Sequence, residues 1–436
     1  MSARPDGGIV NQEVAARVLK EVEEKGVSVK TALSRLKIED YKIRSSVHAY
    51  AMETVKRLNA IDYILSKASH NFEELDSFTR NLLRVAVYEM KFKGVHPALA
   101  TDSAVRIAKK FGKAKLVNAI LRRAEDVEID FESLGEVERL AFEHFHPEWF
   151  VRYAMDLLGE EAIELLRANN DVPTTYIRVN ELKASIESVV GYLEKNGVEL
   201  RETFLDEVFE VVSFEKHPAA LEWHSKGKYV IQDLASCYVS HVLNPEPGDT
   251  VLDLAAAPGI KTSHMAAMMM NEGKIVAVDI SEERVRRMRA KLKQLGVKNV
   301  EVRLADGCRI RVDADKALAD VPCSSTGSIH LHPNVKWSFD AAKFESTLRV
   351  QRRLLLNALR CAEEVVYSTC SIMVEENEMQ VSGFDVVRVD SPFSRGIREF
   401  RGFKFEDWDK VVRSFPHRHR TAGFFIAKLR GDTMRR

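Results

Sequence analysis

Thr250-Val-Leu-Asp-Leu-Ala-Ala-Ala-Pro-Gly-Ile-Lys-Thr262 reads as a short apolar strand, a loop of small residues and the opening of a helix. Small side chains at Ala255 to Gly259 let a backbone approach a ligand closely. Lys261 and Thr262 would open the next helix. Working outward, strand and helix patterns alternate from Tyr229 to the C-terminus. Expected strands are Thr250–Leu254, Ile275–Asp279, Asn299–Leu304, Lys316–Asp320, Glu364–Tyr367, Asp385–Val389 and Phe424–Leu429. The helices between them include Glu282–Leu295 and Phe344–Ala362. That alternation is the pattern of a parallel sheet with crossover helices. Ligands of such sheets bind beyond the carboxyl ends of the strands.

The loop is not Gly-x-Gly-x-x-Gly, which argues against a dinucleotide. The second strand ends in Asp279, placed to accept hydrogen bonds from ribose hydroxyls. The third is followed by Asp306, placed near an adenine edge. A ribose and an adenine without a pyrophosphate cradle point to S-adenosylmethionine. The plain alternative is an Ala-rich loop that holds nothing. Against it, Asp253, Asp279, Asp306 and Asp320 all fall at or just past expected strand ends.

Two cysteines sit in parallel settings. Cys323 lies in Asp320-Val-Pro-Cys-Ser-Ser-Thr-Gly, after the fourth strand, and Cys370 in Tyr367-Ser-Thr-Cys-Ser, after the fifth. If those strands are neighbours, the two loops converge on one pocket edge. Cys237 and Cys361 lie in helical patterns among Ala, Leu and Val, where a thiol acts as a small hydrophobe. Cys308 is read as structural. A zinc set of Cys323, His330, His332 and Cys370 matches no standard spacing, so no metal is expected. A pair of thiols beside a nucleoside site has a chemical use. Carbon 5 of a pyrimidine is a poor nucleophile. A thiolate adding to carbon 6 turns the ring into an enamine, and carbon 5 can then attack an electrophilic methyl. Asp320 is the candidate partner for ring nitrogen 3, and Lys261 would help keep a thiol ionised.

The 436 residues allow about two to four domains. Net charge is zero, so any nucleic-acid surface must be local. One run stands out: Arg106, Lys109, Lys110, Lys113, Lys115, Arg122 and Arg123 fall in sequence with no acid between them. It reads as a solvated helix face or, better, a phosphate-facing stripe. Residues 10 to 125 are helical throughout, with Asp102-Ser103 expected to cap the helix that Gly112 ends. An acidic linker, Glu125 to Glu132, follows. Residues 140–169 are again helical. Thr174–Asn180 and the span 199–213 read as strands around a helix at Ile186–Lys195, a small α+β unit. The expected domains are 1–130, 131–227 and 228–436. No apolar run reaches the roughly 20 residues of a membrane span, and Met1–Gly8 lacks the apolar core of a signal peptide. Five cysteines without a Cys-x-x-Cys pair do not form a disulfide framework in a chain of this size. A cytoplasmic monomer is expected.

The matching strings are Gln232-Asp-Leu-Ala-Ser, Leu252 to Thr262, Val278-Asp279, Ala305-Asp306-Gly307, Asp320 to Gly327, His332-Pro-Asn-Val-Lys-Trp, Tyr367 to Ser371 with Glu375-Glu-Asn, and Gly423-Phe-Phe-Ile-Ala-Lys-Leu. Together they resemble the RNA cytosine-5 methyltransferases of the RsmB/Sun family. Ala104 to Gly112 and Leu116 to Arg123 resemble the RNA-binding factor NusB. The resemblance implies an all-α NusB-like bundle, a small α+β RNA-binding subdomain and an α/β Rossmann-like methyltransferase domain. It implies Cys370 as nucleophile, Cys323 for product release, and S-adenosylmethionine held by Ala255, Ala256, Ala257, Pro258, Gly259, Ile260, Lys261, Asp279, Arg284, Asp306 and Asp320. The implied partner is RNA, ribosomal RNA first and a tRNA as the alternative. Three features depart from the family. Ile260 replaces a glycine, which is costly if that position needs positive φ. The segment 306–320 is short, and Glu363-Glu364 replaces a Gly-Gly. Ile260 and the NusB-like region motivate a second reading, an RNA-binding or ribosome-assembly factor with little or no methyl transfer. Paired Pro-Cys and Thr-Cys motifs argue against a uracil-directed or DNA-directed enzyme.

Overall fold

Ala15, Ala16, Val18 and Leu19 recur at helical spacing and are completely or almost completely buried, so the first helix presents one apolar stripe to a core. The same logic builds the rest of the N-terminal bundle in this computed structural model, which describes residues 5–36, 38 and 40–431. Met1–Arg4 of the N-terminal stretch lie outside the described residues. The helices are α1 (Pro5–Lys25), α2 (Val29–Arg35), α3 (Tyr41–Lys56), α4 (Leu58–Ala68), α5 (Ser77–Lys91), α6 (Pro97–Lys109) and α7 (Ala114–Asp126). Side-chain caps start several of them. Asp76 accepts from the Thr79 amide at 3.1 Å and starts α5. The expected cap at Asp102-Ser103 is displaced. Pro97 opens α6 and His96 caps it, because proline fits the first helical turn.

The helices α8 (Glu136–Glu143), α9 (Glu148–Leu158) and α10 (Ala162–Ala168) belong with this bundle. So does a short strap from the second half of the chain, Ile329–Ser338. Within this unit the strap is held by side chains. Lys336 Nζ donates to Phe145 O at 2.9 Å and Asn170 Oδ1 at 2.7 Å, and Trp337 Nε1 donates to Val55 O at 2.7 Å. In the segment 131–227, read from sequence as a helical linker followed by a small α+β subdomain, the two parts fall in different units. Its helices lie with the bundle, and its strands lie in the second unit, Val172–Ser328 with Phe339 onward. The reason is packing. The α8–α10 helices find carbonyl and side-chain partners such as Asn59, which donates to Ala141 O at 2.7 Å.

The second unit opens with a four-stranded antiparallel sheet of β1 (Thr175–Val179), β2 (Val198–Glu202), β3 (Val208–Phe214) and β4 (Tyr229–Ile231), in the order β2-β3-β1-β4. Helix α11 (Ile186–Lys195) contributes Val189 and Leu193 to its core. After α12 (Glu222–Ser225) and α13 (Leu234–Leu243) comes the large sheet. Its strands are β5 (Thr250–Leu254), β6 (Lys274–Asp279), β7 (Val300–Leu304), β8 (Ala314–Asp320), β9 (Ala362–Thr369), β10 (Val386–Val387) and β11 (Ser394–Arg395), followed by β14 (Val412–Arg413) and β15 (Phe425–Arg430). A separate hairpin, β12 (Glu399–Phe400) with β13 (Phe403–Lys404), lies between the last two pairs. The order is β11-β14-β15-β9-β8-β5-β6-β7, with β10 on β15. The five strands from β9 to β7 are parallel, as expected. The flank is not: β15 runs antiparallel to β9 along six residue pairs. The sheet is mixed, and its switch point falls between β5 and β8. Helices α14 (Ile260–Met268), α15 (Glu282–Leu295) and α16 (Ala341–Cys361) make the crossovers, and the short α17 (Glu378–Val381) and α18 (Pro416–His419) complete the unit.

Candidate active site

The loop after β5 turns sharply. Ala255 has φ 61° and Gly259 has φ 91°. A Cβ on Gly259 would stand 3.0 Å from Met288 Cγ, so this glycine is needed for both its conformation and its closeness to α15. Ile260 is simply the first residue of α14 and has no positive φ. The cost attached to that isoleucine from sequence does not arise, because the glycine that bears the left-handed turn is still present. Ala256 and Ala257 are buried, Pro258 is exposed, and the Ala256 amide donates to Val278 O at 2.8 Å.

Asp279, at the tip of β6, is buried. Its Oδ1 accepts from the Ser281 amide at 2.9 Å, while Oδ2 has no hydrogen-bond partner. Arg284 Nη2 lies 3.3 Å from that oxygen and donates to Ala257 O at 2.6 Å, so it ties the β5 loop to the start of α15. Asp306 accepts from the Cys308 amide at 2.9 Å, and its other oxygen lies 3.5 Å from Arg309 Nε. Inside the crevice, Asp253 is buried and accepts from Thr262 Oγ1 at 2.7 Å. Burial pushes its carboxyl up to about 7.

Lys261 Nζ donates to Asp320 Oδ2 at 2.8 Å across the switch point. Burial opposes the lysine charge, but Asp320 and the Cys370 sulfur beside it hold its pKa above the ordinary value. Ser368 Oγ donates to the other Asp320 oxygen at 2.8 Å, which fixes that carboxylate.

Cys323 and Cys370 leave the adjacent strands β8 and β9, and their sulfurs stand 3.4 Å apart. Both residues are partly exposed. They titrate in opposite directions. The hydrogen bond from Cys323 lowers the Cys370 thiol to about 7, against the effect of burial, with help from Ser325 and Lys261. The same contact, with burial, drives the Cys323 thiol well above its ordinary value. The two thiols share one proton contact and titrate as a pair, with Cys370 the side favoured to lose its proton first. Cys237 and Cys361 are buried. Burial pushes the Cys308 thiol up, with Asp306 adding to the effect.

Glu376 had no assigned role in the sequence, and it organises the Cys323 loop. It is completely buried. Its oxygens accept from the Ser324 amide at 2.8 Å, Ser324 Oγ at 2.6 Å and Gln351 Nε2 at 2.9 Å. Gln351 Nε2 also donates to Pro322 O at 2.9 Å. Asn377 steadies the Cys370 loop by donating to Ser371 O at 2.8 Å. The only sequence signal was the position of Glu375-Glu-Asn just past the second thiol. A second unread cluster is Glu207, whose Oε1 accepts from His241 Nε2 at 2.8 Å and His264 Nε2 at 2.9 Å. Burial pushes His264 down to about 3, and the buried Arg178 adds to that shift. Among the described residues this is the group of three side chains close enough to share an ion; the cysteine–histidine set weighed from sequence is not.

Residues 240–430 match the 16S rRNA methyltransferase RsmB/F family, residues 10–126 the NusB family, and residues 146–211 the ferredoxin-like domain of RsmF/B-like methyltransferases. A ribosomal RNA small subunit methyltransferase B from Pectobacterium atrosepticum is 30% identical over 370 residues, 80% of this chain and 81% of that one. The chain belongs to the RsmB/F family of RNA methyltransferases. The crystal structure of PH0851 aligns over 99% of both chains at 29% identity, with a TM-score of 0.85. NSun6 from Pyrococcus horikoshii, solved with SFG, aligns over 65% of this chain and 98% of its own, at 27% identity and a TM-score of 0.58. RsmB/F membership accounts for the NusB-like bundle and the small antiparallel sheet preceding the methyltransferase sheet.

Part of the basic run expected to face phosphate has carboxylate partners. Arg106 pairs with Asp102 at 2.8 Å, Lys110 with Glu13 at 2.6 Å, and Lys113 with Asp76. Arg123 donates to Ala68 O at 3.4 Å. These partners lie outside the run, where a count of its own residues does not see them. Among the described residues no helix is long and apolar enough to cross a membrane.

Proposed function

We propose that this chain methylates carbon 5 of a cytosine in ribosomal RNA, using S-adenosylmethionine, with Cys370 as nucleophile and Cys323 as the residue that releases product. The observation that carries this is the pair of sulfurs 3.4 Å apart on adjacent strand ends, beside Lys261 and Asp320.

The residues present fit the cofactor. Asp279 Oδ2 is buried with Arg284 Nη2 3.3 Å away and no hydrogen bond, an arrangement a ribose hydroxyl would complete. Ala255, Ala256, Ala257, Pro258, Gly259, Ile260 and Lys261 would line it on one side, with Asp279, Arg284, Asp306 and Asp320 around the rest. When bound, the cofactor supplies an electrophilic methyl to carbon 5.

The chain's own residues do the remaining work. The Cys370 thiolate adds to carbon 6, and the electrons of the 5,6 double bond move toward carbon 5 and into the ring. Asp320, fixed by Ser368 and Lys261, is the partner for ring nitrogen 3. Adduct formation consumes the Cys370 charge. Cys323 then loses the acceptor that chiefly raised its own pKa, and its thiol can give its proton to solvent, although burial and Glu376 still oppose the charge. The Cys323 thiolate so formed takes the proton from carbon 5, the electrons of that C–H bond reform the 5,6 double bond, and the Cys370 sulfur leaves as thiolate.

Bisulfite sequencing of RNA from cells with and without the active chain tests this reading. Conversion-resistant cytosine in small-subunit RNA should vanish with the gene; if it persists there and in the tRNAs, the reading fails. The assembly-factor reading rested on Ile260 and the NusB-like region, and the left-handed turn at Gly259 removes the first of these supports. Calorimetry that finds no S-adenosylmethionine binding at millimolar concentration would restore it.

A further inference from the structure

Helix α15 carries a second acid-free basic run: Arg284, Arg286, Arg287, Arg289, Lys291 and Lys293, continued by Lys298. The helix begins just past the tip of β6, so its C-terminal end lies about 20 Å away from the cofactor crevice. There it meets the loops of the small sheet in a tight seam. Asn180 Nδ2 donates to Gly227 O at 2.7 Å and Leu295 O at 2.8 Å. Lys183 Nζ donates to Lys226 O at 2.7 Å and Gln294 O at 2.8 Å. A Cβ on Gly227 would fall 2.6 Å from Gln294 O. The seam is rigid, and two adjoining shallow grooves open on it.

Their charged lining is of one sign: Lys183, Lys226, Lys228, Arg289, Lys293 and Lys298. Lys226 pairs with Glu222 at 2.7 Å, both side chains being more than half exposed, so that pair is weak and exchangeable. Lys183 is bound to carbonyls, not to a carboxylate. Among the described residues Lys228, Arg289, Lys293 and Lys298 form no ion pair. An aromatic pair adjoins the lysines: Tyr192 stacks on Trp223 with centroids 4.1 Å apart, and Lys228 Nζ sits 3.4 Å over the Trp223 ring. In a chain of zero net charge, six cations with one weakly held acid form a local positive field.

We infer that this seam is a second RNA-contact surface, which grips the sugar–phosphate backbone away from the target base. The inference rests on the proposed action on RNA and deepens it. A polyanion is the partner that unpaired ammonium groups on a rigid platform fit, since each phosphate neutralised releases a counterion. At this distance from the cofactor crevice the surface supplies affinity and register, not base chemistry.

The test uses the full chain, a small-subunit rRNA transcript and filter binding across a range of KCl. The variant K226Q/K293Q/K298Q should bind about tenfold or more weakly at 0.1 M salt, with a log–log salt slope shallower by about two to three. Its thermal midpoint, S-adenosylmethionine affinity and Cys370 alkylation rate should be unchanged. The control R139Q/R152Q/R167Q removes the same charge from residues paired with exposed glutamates in the bundle. An equal loss in that control, or an unchanged slope in the first variant, overturns the surface. No RNA binding by the wild type overturns the function on which it rests. If the triple variant does not fold, Lys298→Gln alone, an exposed loop change, should still flatten the slope by about one.

Discussion

Cys323 and Cys370 stand in matching places, each in the loop after one of two adjacent parallel strands, and they differ in chemistry. The contact between them is one hydrogen bond, and a hydrogen bond has a donor and an acceptor. The sulfur that accepts is stabilised as an anion. The one that donates is held neutral. The difference comes from what surrounds each. Cys370 has Ser325 Oγ at 3.5 Å, and the Lys261 charge partly offsets that of Asp320 beside it. Cys323 sits in a loop that Glu376, a buried carboxylate, holds from below, and that negative charge disfavours a second anion. Position alone makes the two interchangeable; surroundings separate nucleophile from partner.

The comparison breaks most severely at Cys370. Cys370→Ala should lower methyl transfer by on the order of 10⁴-fold or more, with RNA binding retained. Radiolabelled methyl incorporation reads the first and filter binding the second; methylation at the wild-type rate would end the proposed mechanism. Cys323→Ala should be different in kind. Its first turnover proceeds and release fails, so an RNA–protein adduct should survive in a denaturing gel. A normal steady-state rate with no adduct would remove Cys323 from the pathway.

Glu376→Gln should fall between these and ordinary surface changes. The amide cannot reproduce a carboxylate that accepts from Ser324 N, Ser324 Oγ and Gln351, and losing a buried charge-assisted set costs about 1–3 kcal/mol. The specific expectation is partial adduct accumulation, as for Cys323→Ala but milder. A drop in thermal midpoint without any adduct would make Glu376 a stabilising residue only.

How much of this was open to a reader of the sequence follows from the range of each interaction. The strand pattern around Thr250–Leu254 and the length of Glu282–Leu295 are set by local periodicity, and both elements have the expected bounds. The convergence of the thiols followed from the strand order. The partners of the basic run did not. Glu13 and Asp76 lie dozens of residues from the lysines they pair with, so only the tertiary fold brings them together. The same holds for the middle segment, whose helices are held by the N-terminal bundle. Ile260 shows the opposite error. A family pattern placed a conformational demand on it that the backbone puts on Gly259. The antiparallel flank escaped because β11 and β14 are two residues long, too short for any periodicity to register, and because the strands expected at Asp385–Val389 and Phe424–Leu429 carry no local sign of their direction.

The pH dependence sharpens the comparison without changing composition. The Cys370 pKa is lowered to about 7, so its nucleophilic anion is present above that pH and lost below it. The rate of iodoacetamide alkylation should fall about tenfold for each pH unit below the inflection. In Cys323→Ala the donor is gone, and the inflection should move up toward the ordinary 9.0. Cys323→Ser keeps a hydroxyl donor in its place and should hold the inflection near its original position. If Ala and Ser behave alike, the contact between the sulfurs does not set the ionisation.

Ser325→Ala is the smallest of these perturbations and the most discriminating. Its hydroxyl is one of three groups lowering the Cys370 pKa, ranked below Cys323 and above Lys261. Ser325 itself has φ 59°, and alanine pays the same conformational cost there as serine, so the loop keeps its shape. Only the hydroxyl is lost, which accepts from the Cys370 thiol and can donate to its thiolate. The alkylation inflection should rise by less than in Cys323→Ala, and the rate at neutral pH should fall only a fewfold. Methyl transfer should follow the alkylation rate in proportion, since both draw on the same anion. If methyl transfer collapses while alkylation barely changes, Ser325 acts on the substrate and not through the sulfur. The asymmetry between the two thiols would then owe nothing to it.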